Sequence, residues 1–143
     1  MGVSYIQSDS EAESYAGELC RMGYVDAVIS EDMDTLVYEC PVLIRNCLDR
    51  GNKRDDVITT FNLPRLLQDL EMTLDQFTDM CILCGCDYCT NIPKVGNIMA
   101  LKLIKKYNTV EEIVEGTKNK YQIPENYVDL FNKSYEIFTM HRD

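Results

Sequence analysis

Val25-Asp26-Ala27-Val28-Ile29-Ser30-Glu31-Asp32-Met33-Asp34 reads as an apolar strand that runs out into acids. A short, mostly apolar run bounded by polar residues suits a strand buried in a sheet. Ligand sites in parallel sheets lie beyond the carboxyl ends of their strands. Asp32 and Asp34, at spacing two, point to the same side if the extended conformation continues. The same two residues also read as an ordinary solvated loop.

The flanking signals alternate in the same α/β manner. Upstream, Val3 to Gln7 can form a short strand, and Ser10 with Glu13 makes a Ser-x-x-Glu capping box that predicts a helix from Glu11 to Met22, ending near Gly23. Downstream, strands are expected at Val42 to Cys47 and Asp56 to Phe61, with a turn at Asp49-Arg50-Gly51-Asn52 between them. The second half reads as helical. Leu63, Leu66, Leu67 and Leu70 have helix spacing, and Leu74, Phe77, Cys81 and Cys84 repeat it after Thr73, which with Gln76 offers a second capping box. Gly85 ends that helix. Ile98, Leu101, Leu103 and Ile104 mark another, Thr109 with Glu112 and Gly116 brackets a short one, and Pro124 opens a last helix through Phe138.

Composition limits the chemistry. The 143 residues carry a net charge of -10, unusual for a nucleic-acid binder, and no apolar run is long enough to span a bilayer. Without a signal-peptide pattern the chain reads as soluble and intracellular, and its seven cysteines read as free thiols. Charge is unevenly placed. From Thr90 to Val110 there is no acid, while Lys94, Lys102, Lys105 and Lys106 fall inside that window. An acidic region beside a basic strip suits a protein that holds metal ions in one place and a phosphate backbone in another.

Three acidic clusters supply the candidate site: Ser10-Glu11-Ala12-Glu13, Glu31-Asp32-Met33-Asp34 and Gly85-Cys86-Asp87-Tyr88. Carboxylates from separate segments repel unless cations neutralise them, and hard ions such as Mg²⁺ take such oxygens. The clusters together therefore point to a metal-dependent, phosphodiester-cutting site. Singly, each has a plainer reading: Glu11 and Glu13 suit a helix N-terminus, and Asp87 suits a turn. The Cys81-x-x-Cys84-x-Cys86-x-x-Cys89 run also offers thiolates, but zinc pairs are usually separated by a longer loop, so buried small hydrophobes are the expected role.

The ordered set resembles the flap endonuclease branch of the XPG-type structure-specific 5′ nucleases. The matching stretches are Tyr5-Ile6, Ser10-Glu11-Ala12-Glu13, Glu31-Asp32-Met33-Asp34-Thr35-Leu36, Cys81-Ile82-Leu83-Cys84-Gly85-Cys86-Asp87-Tyr88-Cys89, Ile92-Pro93-Lys94-Val95-Gly96-Asn97 with Ala100, and Thr109-Val110-Glu111-Glu112-Ile113. The resemblance implies an α/β fold: a partial parallel-sheet, PIN-like nuclease core over 1–87, then an all-helical helix-hairpin-helix DNA-binding region over 88–143. It implies hydrolysis of DNA at 5′-flap or branched junctions, with endonuclease and 5′–3′ exonuclease character, in replication and repair. Two Mg²⁺ ions are implied, with Glu11 and Glu13 serving one and Asp32, Asp34 and Asp87 the other. A K⁺ ion is implied on the backbone carbonyls of Asn91, Ile92 and Val95.

For DNA, the resemblance implies contacts from Lys94, Gly96, Asn97, Lys102, Lys105 and Lys106. Implied partners are branched duplex DNA and a sliding clamp bound through a region outside this chain; no membrane is implied, and the location is nuclear in a eukaryote. Lys94 stands where the family's hairpin usually has its first glycine. Family members also carry an upstream region with further strands, metal-binding aspartates and a helical arch, so this chain is expected to be the C-terminal part of a nuclease core, inactive alone. The rival function is a catalytically silent DNA-binding or protein-interaction module on the same fold.

Overall fold

The computed structural model describes residues 2–46 and 58–142, which divide into two units, Met1–Leu66 and Leu67–Asp143. The expected Asp49–Asn52 turn, the Cys47 end of one strand and the Asp56 start of the next lie outside the described residues.

The first unit contains α1 (Ala12–Arg21), β1 (Val28–Ile29), α2 (Asp34–Val37), β2 (Val42–Arg45) and β3 (Thr59–Asn62). Its sheet has the order β1-β2-β3. β1 and β2 are parallel, with Val28 opposite Leu43 and Ile29 opposite Ile44, and α2 lies in the crossover that a parallel pair requires. The expected parallel sheet stops there. β3 pairs antiparallel with β2, from Val42 opposite Asn62 to Arg45 opposite Thr59, so the sheet is mixed.

Leu36, Val37, Tyr38, Cys40 and Leu43 form the buried interior of this unit. Cys20 and Val28 cluster with Cys40, and Ala16 packs beside them. Gly17 keeps α1 close to the end of α2, because a Cβ there would come within 3.4 Å of the Tyr38 carbonyl oxygen. Arg21 Nη1 donates to that same carbonyl, which caps α2.

Three local expectations fail. Val3 to Gln7 form no strand, and Val3, Tyr5 and Ile6 are exposed at 81%, 89% and 65%. A lone extended segment gains no ladder hydrogen bonds to offset its ordering. The Ser10–Glu13 capping box does not form. Glu11 is the N-cap of α1, and Ser10 is taken up by Ser8, whose Oγ accepts from Ser10 N–H and donates to Ser10 O. The strand expected from Val25 shrinks to Val28–Ile29.

α3 (Leu63–Leu70) follows β3. The second unit then contains α4 (Leu74–Cys84), α5 (Asn97–Lys106), α6 (Val110–Thr117) and α7 (Tyr127–Thr139). Here the local signals hold. Both hydrogen bonds of the Thr73–Gln76 box are made, at 3.1 Å and 3.0 Å, and Thr109 caps α6 by accepting from Glu112 N–H at 3.1 Å. Gly85 ends α4 at φ 103, a conformation that disfavours a side chain. α4 packs against α5 and α7, and α6 against α7. Ile82, Leu83, Ile92, Val95, Ile113 and Tyr127 are among the fully buried side chains of this unit. Each large apolar side chain so buried contributes roughly 1.5–3 kcal/mol.

Candidate functional site

The acids of the first unit stand at element ends. Glu11 is exposed at the N-cap of α1 and Glu13 half-buried in its first turn. The chain beyond β1 does not stay extended. Asp32 N–H donates to Ser30 Oγ at 3.1 Å, Asp32 Oδ1 accepts from Asp34 N–H at 2.9 Å, and Thr35 N–H bonds to Asp32 O at 3.2 Å. These bonds turn the chain into α2, where Asp34 is the first residue. An aspartate that bonds backbone two residues on competes with a strand ladder, so the two acids do not share a strand face.

Glu31, between strand and site, has a structural task that sequence reading missed. Its Oε1 accepts from Asn46 N–H at 2.8 Å and its Oε2 lies 3.9 Å from Arg45 Nε, which ties the acidic loop to the end of β2. Arg45 and Asn46 are distant in sequence, so no local pattern carries this signal.

In the second unit, Asp87 sits at the exposed tip of a tight loop. Cys86 and Cys89 exchange backbone hydrogen bonds of 2.9 Å and 3.3 Å, leaving Asp87 and Tyr88 as the central residues. The Tyr88 ring meets Phe138 of α7 edge-on at 5.8 Å, which anchors the tip. The donor set, carboxylates open to solvent, is of the kind that hard divalent ions take. Among the described residues, no three His, Cys, Asp or Glu side chains are grouped as metal ligands. Near Asp87, burial raises the Cys84 thiol, and burial with the neighbouring Cys86 pushes Cys89 up to about 11.

Residues 91–96 form the turn between α4 and α5. Lys94 adopts φ 72, a left-handed conformation that costs a side-chain residue roughly 1–2 kcal/mol. Glycine adopts such a φ without that cost. Gly96 precedes α5 as its N-cap, and a Cβ there would meet nothing within 4 Å, so the backbone is open to an approaching phosphate. Asn97 Oδ1 accepts from Ile98 N–H at 2.9 Å.

Lys102, Lys105 and Lys106 are exposed on α5, opposite the buried Ala100, Leu103 and Ile104. Lys106 Nζ lies 5.3 Å from the Tyr107 ring centroid. Sequence reading stopped short of Lys120. With Pro93, Lys94, Tyr121 and Gln122 it lines a cavity of about 220 Å³ beside the turn. The basic Lys118-Asn119-Lys120-Tyr121 run was its available signal.

Of the carbonyls expected to hold K⁺, those of Ile92 and Val95 are already engaged. Asn91 Nδ2 donates to Ile92 O at 3.2 Å and to Val95 O at 3.1 Å, and Val95 N–H also bonds to Ile92 O at 2.9 Å.

A further electrostatic feature lies on α4. Burial, then the nearby Asp75 charge, raises Asp79 to about 7; Arg142 opposes the rise and Glu111 adds to it. Arg142 is held by Asp75 Oδ1 at 3.4 Å and Thr78 Oγ1 at 3.0 Å, and Tyr135 Oη donates to Asp75 at 2.8 Å.

The XPG I-region family model matches residues 2–87. Flap endonuclease 1-A of Sorghum bicolor is 44% identical over 128 residues, covering 89% of this chain and 33% of that protein. The chain thus spans about a third of the length of that curated relative. Among solved structures, the catalytic core of Rad2 superposes with a TM-score of 0.80 at 16% identity, over 96% of this chain and 53% of that one. The eukaryotic junction-resolving enzyme GEN-1 with potassium gives a TM-score of 0.66 at 21% identity, over 90% and 38%. These two likenesses show a shared fold. No helix among the described residues is long and apolar enough to cross a membrane.

Proposed function

This chain belongs to the XPG I-region family, and we propose that it is the metal-binding and duplex-binding part of a structure-specific 5′ nuclease. The whole protein would cut branched or 5′-flapped DNA in replication and repair, as an endonuclease and 5′–3′ exonuclease. The observation that carries the proposal is the family match over 2–87, which contains Glu11, Glu13, Asp32, Asp34 and Asp87. Residues 1–87 would carry the chemistry and 88–143 the helix-hairpin-helix contacts.

Glu11 and Glu13 would serve one Mg²⁺, and Asp32, Asp34 and Asp87 a second. Two such ions, when bound, activate a water and stabilise the leaving oxygen of an in-line displacement. The side chains themselves bind and orient; none is needed as nucleophile. Lys94, Lys102, Lys105 and Lys106, with the open backbone at Gly96 and Asn97, would hold duplex phosphates, and contacts of that kind recognise shape rather than base order. Lys120 joins this set through its place beside Lys94. We place the protein inside the cell, in the nucleus of a eukaryotic host, with a sliding clamp as partner through a region outside this chain.

The 143-residue chain alone is expected to leave DNA uncut, since it spans about a third of the length of the Sorghum bicolor relative. The second reading is a silent DNA-binding module, which the exposed lysines of α5 would serve without a metal. A chimera separates the two: this chain replaces the matching segment of the Sorghum bicolor relative, and labelled 5′-flap DNA is followed with Mg²⁺ and with chelator. Metal-dependent cutting near the junction supports the nuclease. A folded chimera that binds the flap and leaves it intact supports the silent module.

A further inference from the structure

The turn between α4 and α5 brings the carbonyl oxygens of Ile92 and Val95 to one nitrogen, Asn91 Nδ2, at 3.2 Å and 3.1 Å. Two carbonyl dipoles aimed at one point repel unless something positive sits between them. A monovalent cation is one solution, and an amide NH₂ with two donors is another. Ile92 and Val95 are each fully buried, so the chain on which the oxygens sit is held by the core. The carboxamide is held as well. Asn91 packs over Gly85, where an added Cβ would lie 3.3 Å from Asn91 Cβ and 3.7 Å from Oδ1. The amide thus has a fixed seat, and its two donors match the two acceptors. Ile92 O carries a further bond from Val95 N–H at 2.9 Å, which uses its remaining lone pair.

We propose that in this chain the Asn91 carboxamide stands where a monovalent cation would otherwise sit, and that the hairpin is built without one. A K⁺ ion on these carbonyls would have to expel Nδ2, and the displaced amide would lose both acceptors inside a half-buried turn. The fit of K⁺ to the carbonyls of Asn91, Ile92 and Val95 is therefore poor here. The hairpin's stability should follow total ionic strength and be indifferent to which monovalent cation supplies it. This inference is independent of catalysis: a chain with no nuclease activity passes or fails it equally.

The test uses the 143-residue protein, thallium(I) NMR as a probe for K⁺ sites, and thermal unfolding in KCl against tetramethylammonium chloride at equal ionic strength. The wild type is expected to leave the thallium signal unshifted and to unfold within about 1 °C in the two salts, a difference smaller than one ordinary interaction would produce. Asn91→Ala removes both donors, so its Tm should fall by several degrees in tetramethylammonium and partly recover in KCl. Should that variant not fold, Asn91→Asp keeps the shape but presents only acceptors, and its Tm should rise selectively in KCl. A wild-type thallium shift or a K⁺-specific rise in wild-type Tm overturns the proposal. So does a folded variant with no response to K⁺, because the carbonyls would then not form a cation seat at all.

Discussion

The helical unit holds its functional positions on backbone that the unit itself completes, whereas the first unit holds its acids on short pieces. The turn bearing Lys94 lies between an α4 with both capping-box bonds and an α5 of ten residues, over buried Ile92 and Val95. Asp32 and Asp34, by contrast, follow a strand of two residues and open a helix of four. Val3, Tyr5, Ile6 and Ile29 stay exposed nearby in sequence. A nucleic-acid grip needs a rigid convex element with positive charge, and one helix-turn-helix piece supplies that locally. A metal site needs carboxylates from several segments gathered against their own repulsion, which no single piece supplies. The two regions should therefore differ in what they do unaided, and four experiments put that contrast at risk.

The largest effect is expected at Asp34. In the chimera, Asp34→Asn should abolish Mg²⁺-dependent cleavage while leaving flap binding and circular dichroism unchanged, since the change removes a negative ligand and keeps the shape. A variant that cuts at the parent rate would remove Asp34 from the metal site.

Next comes the basic face of α5. Replacing Lys102, Lys105 and Lys106 together with Ala in the 143-residue chain should weaken binding of branched duplex. It should also reduce the slope of log K against log salt by about 2–3, close to 0.9 for each phosphate no longer neutralised. The check is fluorescence anisotropy across a salt series. An unchanged slope would place the DNA on another surface.

The third is a pH effect inside the helical unit. Asp79 is raised from 3.8 to about 7, so between those values the folded chain binds more protons than the unfolded one. Its buried charge is therefore a cost to the fold that is absent below about pH 4, grows as pH rises and is complete above about pH 7. Allowing for solvent screening of a half-buried group, Asp79→Asn should gain about 1–2 kcal/mol at pH 8 and little at pH 4. Urea unfolding at the two pH values reads this directly, and a gain equal at both would exclude titration of Asp79 as the cause.

The smallest effect is at Lys94. Lys94→Gly should relieve the left-handed strain at φ 72 and, after the added unfolded-state entropy of glycine, stabilise by about 0.5–1 kcal/mol. The same change should lower the DNA salt slope by about 0.9. A variant with higher Tm and an unaltered slope would keep the strain argument and remove Lys94 from the DNA-binding face.

The legibility of the chain follows the same division. α4, α5, α6 and α7 are readable because their signals are local: apolar residues at helix spacing, Thr73 with Gln76, Thr109 with Glu112, and Gly85 as a stop. The failures lie where a partner outside the local pattern makes the decision, whether distant or close by. Val3 to Gln7 has strand composition, yet no described strand pairs with it. Ser10 has N-cap chemistry, yet its hydroxyl neighbour Ser8 claims it.

Which acids this protein carries, in what order, and that they follow the XPG I-region pattern are settled by the amino-acid order, because residue identity and spacing are properties of the chain alone. Helices α4 to α7 are settled there too, since their hydrogen bonds close within a few residues. Folding had to decide the rest: that Glu31 braces the end of β2, that Tyr135 donates to Asp75, and that Arg142 donates to Thr78. Each of those depends on where a donor and an acceptor meet in space. A hydrogen bond is steep in distance and angle, and no sequence pattern encodes that meeting.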